Sequence, residues 1–103
     1  MTLGSTLVNA MFVHVVHTLV RQESEASFHG YLEGALLSKY QELQSPIRLE
    51  VWRRSCVGYL SVHIVSTWHS LADVEAFEAR CPLEEWSKAP TIVIERKVYE
   101  LWR

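Results

Sequence analysis

An α+β domain with elements in the order strand, helix, strand, strand, helix, strand is predicted by three observations. Residues 59–67 alternate apolar and polar side chains, end in Trp68, and pass within two residues into a helix that Ser70 can cap. Upstream, a run with helical spacing between Ser24 and Pro46 is flanked by two stretches that read as strands. Downstream, Thr91 to Trp102 reads as one long final strand. This βαββαβ order is that of ferredoxin-like domains, a four-stranded antiparallel sheet with helices on one face.

The elements follow in turn. Residues 1–9 read as a flexible leader and residues 10–103 as a single domain. Met11 to Val20 is rich in Val, Phe, Leu and Thr, with apolar residues on both faces, as expected of a central strand covered on two sides. Ser24 is the cap candidate of the first helix, where Phe28, Tyr31, Leu32, Ala35, Leu36 and Leu43 recur at three- and four-residue spacing. That helix ends before Pro46, because a residue preceding proline avoids the helical region. Gly30 and Gly34 lie inside it, where each costs roughly 1 kcal/mol relative to alanine. Their spacing suggests a small-residue packing contact or the close approach of a ligand or backbone.

Ile47, Leu49, Val51 and Arg53 alternate with Arg48, Glu50, Trp52 and Arg54, so one side of this strand is buried and the other is wet or forms an interface. A turn at 55–58 leads into the Tyr59 strand. In the second helix Asp73 occupies the first turn and Leu71, Val74, Ala76 and Phe77 form the apolar stripe. Cys81-Pro82 stops it, and Pro82 opens a short turn carrying Leu83 and Trp86. Both helices on one side of the sheet leave the other side bare. Val65, Tyr59 and Trp52 are expected there, which predicts a homodimer packed sheet to sheet.

The totals bound the partners. A chain of 103 residues is one domain with a single two-layer core. A net charge of -2 and an isoelectric point near 6.2 give no electrostatic reason to expect nucleic acid or an anionic membrane. The third strand also lacks the basic, aromatic character of RNA-recognition domains. His14 and His17 interrupt the apolar N-terminal stretch, so it is neither a secretory segment nor a membrane span. Cys56 and Cys81 belong to no C-x-x-C pair and suit a reducing compartment as small hydrophobes. A cytoplasmic protein is the expectation.

Residues Val65 to Phe77 (VSTWHSLADVEAF) resemble the strand-Trp-x-Ser signature of the antibiotic biosynthesis monooxygenase family, dimeric α+β barrel proteins that include cofactor-free quinone-forming oxygenases and haem-degrading enzymes. Element order and lengths from Met11 to Trp102 also match. The resemblance implies a homodimer and an oxygenase acting on a small aromatic or polyketide-like molecule, with no cofactor. Several family positions differ. Val15 or Val16 stands near the first-strand asparagine of haem-degrading members, Phe77 replaces their second tryptophan, and Ser87 falls near their histidine ligand. No histidine follows His69, and Ile64 stands where quinone-forming members carry an asparagine four residues before the tryptophan.

Cofactor-free oxidation needs a pocket for an electron-rich phenol or enol, a base to form its anion, and a dry wall. His14, His17, His29, His63 and His69 are the bases at hand. His14 and His17, three apart on a strand, point to opposite faces and cannot chelate together, and His63 points away from Trp68. His14, His17 and His69 are the catalytic candidates; Trp68, Phe77, Tyr31 and Trp86 are the substrate-binding candidates. Each histidine reads more readily as a hydrogen-bonded structural or surface group and Trp68 as a core plug, while Tyr31 and Tyr40 either cap a pocket or lie at the edge of the core. Arg48, Arg53 and Arg54 read as a solvated strand end or a site for an anionic substrate. No phosphate loop, nucleophile elbow or zinc site is present in the sequence. A haem-binding member, an amino-acid-binding regulatory domain and a non-catalytic accessory barrel remain alternatives.

Overall fold

Period-two alternation dominates the strands, and their pairing follows from it. The computed structural model describes residues 11–42, 46–86, 90–91 and 93–102. The expected leader, Leu43 of the first helical stripe and Ser87 lie outside them. Strands β1 (Met11–Arg21), β2 (Arg48–Cys56), β3 (Tyr59–Trp68) and β4 (Val93–Leu101) form one sheet in the order β2-β3-β1-β4. All three pairings are antiparallel. This is the ferredoxin-like arrangement, with β1 and β3 central.

On β1 the side chains of His14, Val16, Thr18 and Val20 are buried beneath the helices. Their partners on β3, Ser66, Ile64, Val62 and Leu60, share that face. The alternate residues of β1 are only half-buried, so a single chain covers the strand on one side, not two. The β2–β3 hairpin closes at Val57-Gly58, between the paired Cys56 and Tyr59. Gly58 has φ 79°, a left-handed conformation that a side chain would strain.

The connection from β1 to β2 is not one regular helix. A 3-10 turn (Gln22–Ser24) leads into α1 (Glu25–Tyr31), a π-helical stretch (Leu32–Leu36) and α2 (Leu37–Glu42). Phe28, Leu32, Leu36 and Tyr40 are its buried residues, each four after the last. Four residues of α-helix overshoot a full turn by about 40°, so three such steps would rotate the stripe off the core. The wider π turn winds less per residue and brings Leu36 and Tyr40 back over the sheet. Ser24 makes no capping hydrogen bond through its side chain, since the 3-10 turn already continues the helical path. A Cβ added at Gly30 or Gly34 would meet no atom within 4 Å. Neither glycine therefore serves a packing contact or a close approach with the described residues.

After β3, Ser70 caps α3 (Leu71–Arg80) as expected, its Oγ accepting from the Asp73 amide at 3.2 Å. The buried stripe of α3 is narrower than the sequence suggests: Val74 and Phe77 are buried, whereas Leu71 and Ala76 are exposed. Val74, Phe77, half-buried Glu78 and buried Cys81 follow i, i+3, i+4, i+7 spacing, which sets the helix phase. A short helix α4 (Leu83–Trp86) follows Pro82 and places Trp86 in the core. Tyr31 ties α1 to α4 by donating to the Glu85 carbonyl at 2.6 Å. Cys56 is exposed and Cys81 buried, both as free thiols. Among the described residues no helix is long and apolar enough to cross a membrane.

Candidate functional site

Strand alternation puts His14 under α3, and the α3 stripe puts Phe77 and Glu78 over it. The His14 ring meets Phe77 edge-on, with centroids 5.7 Å apart. Phe77 in turn stacks on Tyr40 at 4.2 Å and lies 5.6 Å from Trp68. Trp68 is held in place by a hydrogen bond from its Nε1 to Ser66 Oγ at 2.8 Å. Because Ser66 is the β3 partner of His14, this bond anchors the tryptophan beside the histidine. Trp68, Phe77 and Trp86 are each 2 % exposed or less. These rings occupy the layer between helices and sheet where a substrate pocket is expected.

His14 is completely buried and its ring makes one side-chain hydrogen bond among the described residues. Its Nε2 lies 3.1 Å from Glu78 Oε2. An ionised carboxylate only accepts, so the bond puts the proton on Nε2 and leaves Nδ1 of the neutral ring with a free lone pair. Among the described residues Nδ1 has no hydrogen-bond partner. Burial pushes the His14 pKa below its ordinary value; the hydrogen bond and charge of Glu78 oppose that shift, and the Arg96 guanidinium adds to it. Arg96 reaches the same Glu78 oxygen, Nε to Oε2 3.7 Å, and donates from Nη1 to the Cys81 carbonyl at 3.2 Å. Among the described residues three other buried polar atoms are also unpartnered: Thr18 Oγ1, Tyr40 OH and Trp86 Nε1. Tyr40 is buried rather than placed at the core edge, and burial drives its phenol pKa far up.

The remaining histidine candidates lie elsewhere. His17 is on the bare face of the sheet, where it stacks on His63 with centroids 4.1 Å apart and hydrogen-bonds Ser61 Oγ at 2.9 Å. His69 is exposed just past the end of β3. His29 is exposed on α1 and pairs with Glu33 at 3.5 Å. Of the catalytic candidates, His14 alone joins the Trp68–Phe77 cluster. Tyr31 sits nearer the helix ends, half-buried against α4. Trp52, His63, His17 and Glu95 form one continuous row across all four strands. A small cavity of about 90 Å³ opens on this bare face, lined by Val15, His17, His63, Glu95, Lys97 and Tyr99. Arg53 points to the helix side and pairs with Glu25 at 3.2 Å, while Arg48 pairs with Glu50 at 3.2 Å on the bare side. Among the described residues no group of three or more His, Cys, Asp or Glu side chains is placed to hold a metal ion.

Sequence reasoning missed Glu78 and Arg96. A signal for Glu78 existed: it is the lone carboxylate on the i, i+3, i+4, i+7 face formed with Val74, Phe77 and Cys81. Arg96 has no local signal, because only the β1–β4 register, Val16 opposite Arg96, places it on the helix side.

No protein-family model matches the chain, and no curated protein sequence matches it. Solved structures do. A Bacillus cereus protein provisionally assigned to the antibiotic biosynthesis monooxygenases superposes with a TM-score of 0.61 at 19% identity, covering 88% of this chain and 92% of that one. A Streptomyces coelicolor monooxygenase, product of ActVA-Orf6 and solved with the ligand nanaomycin D, gives 0.59 at 15% identity over 92% of this chain and 88% of its own. The de novo designed protein Foldit4 gives 0.63 at 17% identity over 91% and 98%. The chain thus shares the ferredoxin-like α+β fold of antibiotic biosynthesis monooxygenase-like structures, and a designed protein has it as well.

Proposed function

We propose that this protein is a cofactor-free oxygenase of small aromatic or polyketide-like molecules, with His14 as the base and Trp68 and Phe77 shaping the pocket. The observation that carries the reading is the state of His14: fully buried, anchored through Nε2, with Nδ1 unpartnered on the Trp68 side of the sheet. A buried lone pair on a neutral imidazole is suited to accept a phenolic or enolic proton. The resulting anion reacts with dioxygen; one oxygen atom stays on the ring carbon, giving a quinone, and the other leaves as water. Aromatic walls exclude bulk water from that anion. Tyr31 and Trp86 extend the wall towards α4. Substrate entry requires a local opening of the helix layer, since His14 has no exposed surface. The likeness to a monooxygenase solved with nanaomycin D supports the substrate class.

Oxygen uptake by the purified protein with a panel of hydroxylated polycyclic aromatics tests the reading. Uptake matched by quinone absorbance, and lost in His14→Gln and reduced in Trp68→Phe, is the expected result. Uptake unchanged in both variants would overturn the site; no uptake with any phenol, alongside tight binding of haem, would move the protein to the haem-binding alternative.

The bare sheet face supports a homodimer in the same reading. Trp52, Tyr59 and Tyr99 are 54%, 46% and 52% exposed in the single chain. This side of the sheet also carries both charge signs, Glu50 and Glu95 with Arg54 and Lys97, so a two-fold copy can meet it with opposite charges paired. Sedimentation equilibrium should give a dimer that Trp52→Glu converts to monomer.

A further inference from the structure

We propose that Glu78 and Arg96 are the positioning pair for His14: the Glu78 carboxylate fixes the Nε2–H tautomer, so that Nδ1 is the atom that takes the proton, and Arg96 holds the carboxylate in place. The geometry is a chain from three elements. His14 Nε2 on β1 lies 3.1 Å from Glu78 Oε2 on α3, and Arg96 Nε on β4 lies 3.7 Å from the same oxygen. The guanidinium is itself fixed by its 3.2 Å bond to the Cys81 carbonyl at the end of α3. Helix and edge strand are therefore clamped together through the carboxylate.

The consequence for proton transfer follows from charge. In the resting state the His14 ring is neutral and Glu78 is anionic beside Arg96. When a substrate O–H bond breaks and its proton bonds to Nδ1, the ring becomes an imidazolium with both nitrogens protonated. Nε2–H remains on Glu78, so the new buried cation faces an anion instead of an apolar core. Without the carboxylate, that cation would be unpaired in a fully buried site, and Nδ1 would be a much weaker base. Arg96 acts in the opposite direction, since its charge disfavours the imidazolium. It therefore tempers the base while orienting the acid group. Around the ring, β3 contributes the uncharged Ser66. The Tyr40 phenol of α2 and the Cys81 thiol belong to the same core, and burial pushes both pKa values up, so they are neutral at pH 7. Glu78 and Arg96 are thus the charges that His14 feels.

The catalytic consequence rests on the oxygenase reading; the tautomer does not, and it can be measured without substrate. Protein labelled with 15N histidine, with the His14 signals identified by their loss in His14→Gln, gives the tautomer and the titration midpoint by long-range N–H correlation spectra. The expected result is an Nε2–H tautomer at pH 8. The midpoint should move down in Glu78→Gln, return towards wild type in Glu78→Asp, and move up in Arg96→Met. An Nδ1–H tautomer in the wild type would overturn the proposal, as would a midpoint indifferent to both Glu78→Gln and Arg96→Met. The two readings fail separately. A correct tautomer with no phenol oxidation removes the oxygenase alone, whereas His14-dependent oxidation whose pH profile is unchanged in Glu78→Gln removes the positioning pair alone.

Discussion

His17 and His63 stack ring on ring across the β1–β3 ladder, with centroids 4.1 Å apart and planes within 5° of parallel. Two rings this close cannot both be charged without repulsion, and the charge of His17 adds to desolvation in lowering the His63 pKa. A lowered histidine pKa means that the folded state binds fewer protons than the unfolded chain near the ordinary value of about 6.5. Stability from His63 is therefore fully present above that value and is lost as pH falls through its lowered folded value. His14 shifts in the same direction and adds to the loss. Urea unfolding at pH 8.0 and pH 5.5 should show a smaller acid loss in His63→Gln than in the wild type; equal losses would mean the stack is not the cause.

Ser66 decides how firmly Trp68 is held. Both are buried, and Ser66 Oγ is the acceptor for Trp68 Nε1 at 2.8 Å. Ser66→Ala removes little volume but strands an indole N–H in the core, a cost of about 1–3 kcal/mol. Urea denaturation should show that loss with an unchanged m-value. A loss under about 0.5 kcal/mol would mean that the indole finds another acceptor.

The helical connection carries an excess of glycine that the fold does not use. Gly30 lies in α1, is exposed, and has open space where a Cβ would point. Gly30→Ala should stabilise the protein by about 0.4–1 kcal/mol by reducing the freedom of the unfolded chain. A thermal melt showing lower stability would indicate a contact at this surface that the single chain lacks, such as one with a second copy.

What was legible in the sequence is what depends on neighbours along the chain. The Ser70 cap, the Gly58 turn and the alternation that separates Tyr59 from Trp68 all follow from spacings within ten residues. The opposition of His14 and His17 follows from the same period of two. The phase of α3 was less legible: Leu71 is as apolar as Val74, Ala76 fits the same stripe, and only docking on the sheet chooses between stripes. The π stretch was hidden too, because four-residue spacing of Phe28, Leu32, Leu36 and Tyr40 fits a drifting α-helix until the sheet requires all four to face one way. The His14–Glu78 contact spans 64 positions, and Arg96 joins it through the β1–β4 register. No local pattern carries that information.

Tyr40 is where stability and function should separate. Its ring is fully buried and stacked on Phe77, yet its hydroxyl has no hydrogen-bond partner. A buried unsatisfied hydroxyl costs about 1–3 kcal/mol, so Tyr40→Phe should leave stability unchanged or raise it, because the ring packing is kept. The pH dependence should change with it. Burial raises the phenol pKa in the folded state, so the folded state keeps a proton that the unfolded chain sheds near its ordinary value of about 10. Stability from this group is present below that pH and declines as pH rises through it. Urea unfolding at pH 8 and pH 10.5 should therefore show an alkaline loss in the wild type that is smaller in Tyr40→Phe. If the hydroxyl is retained for a ligand, the same variant should bind or oxidise phenols less well while being no less stable. A destabilisation above about 1 kcal/mol at pH 8 would instead show that the hydroxyl is hydrogen-bonded in solution, and would remove Tyr40 from the set of buried polar groups available to a substrate.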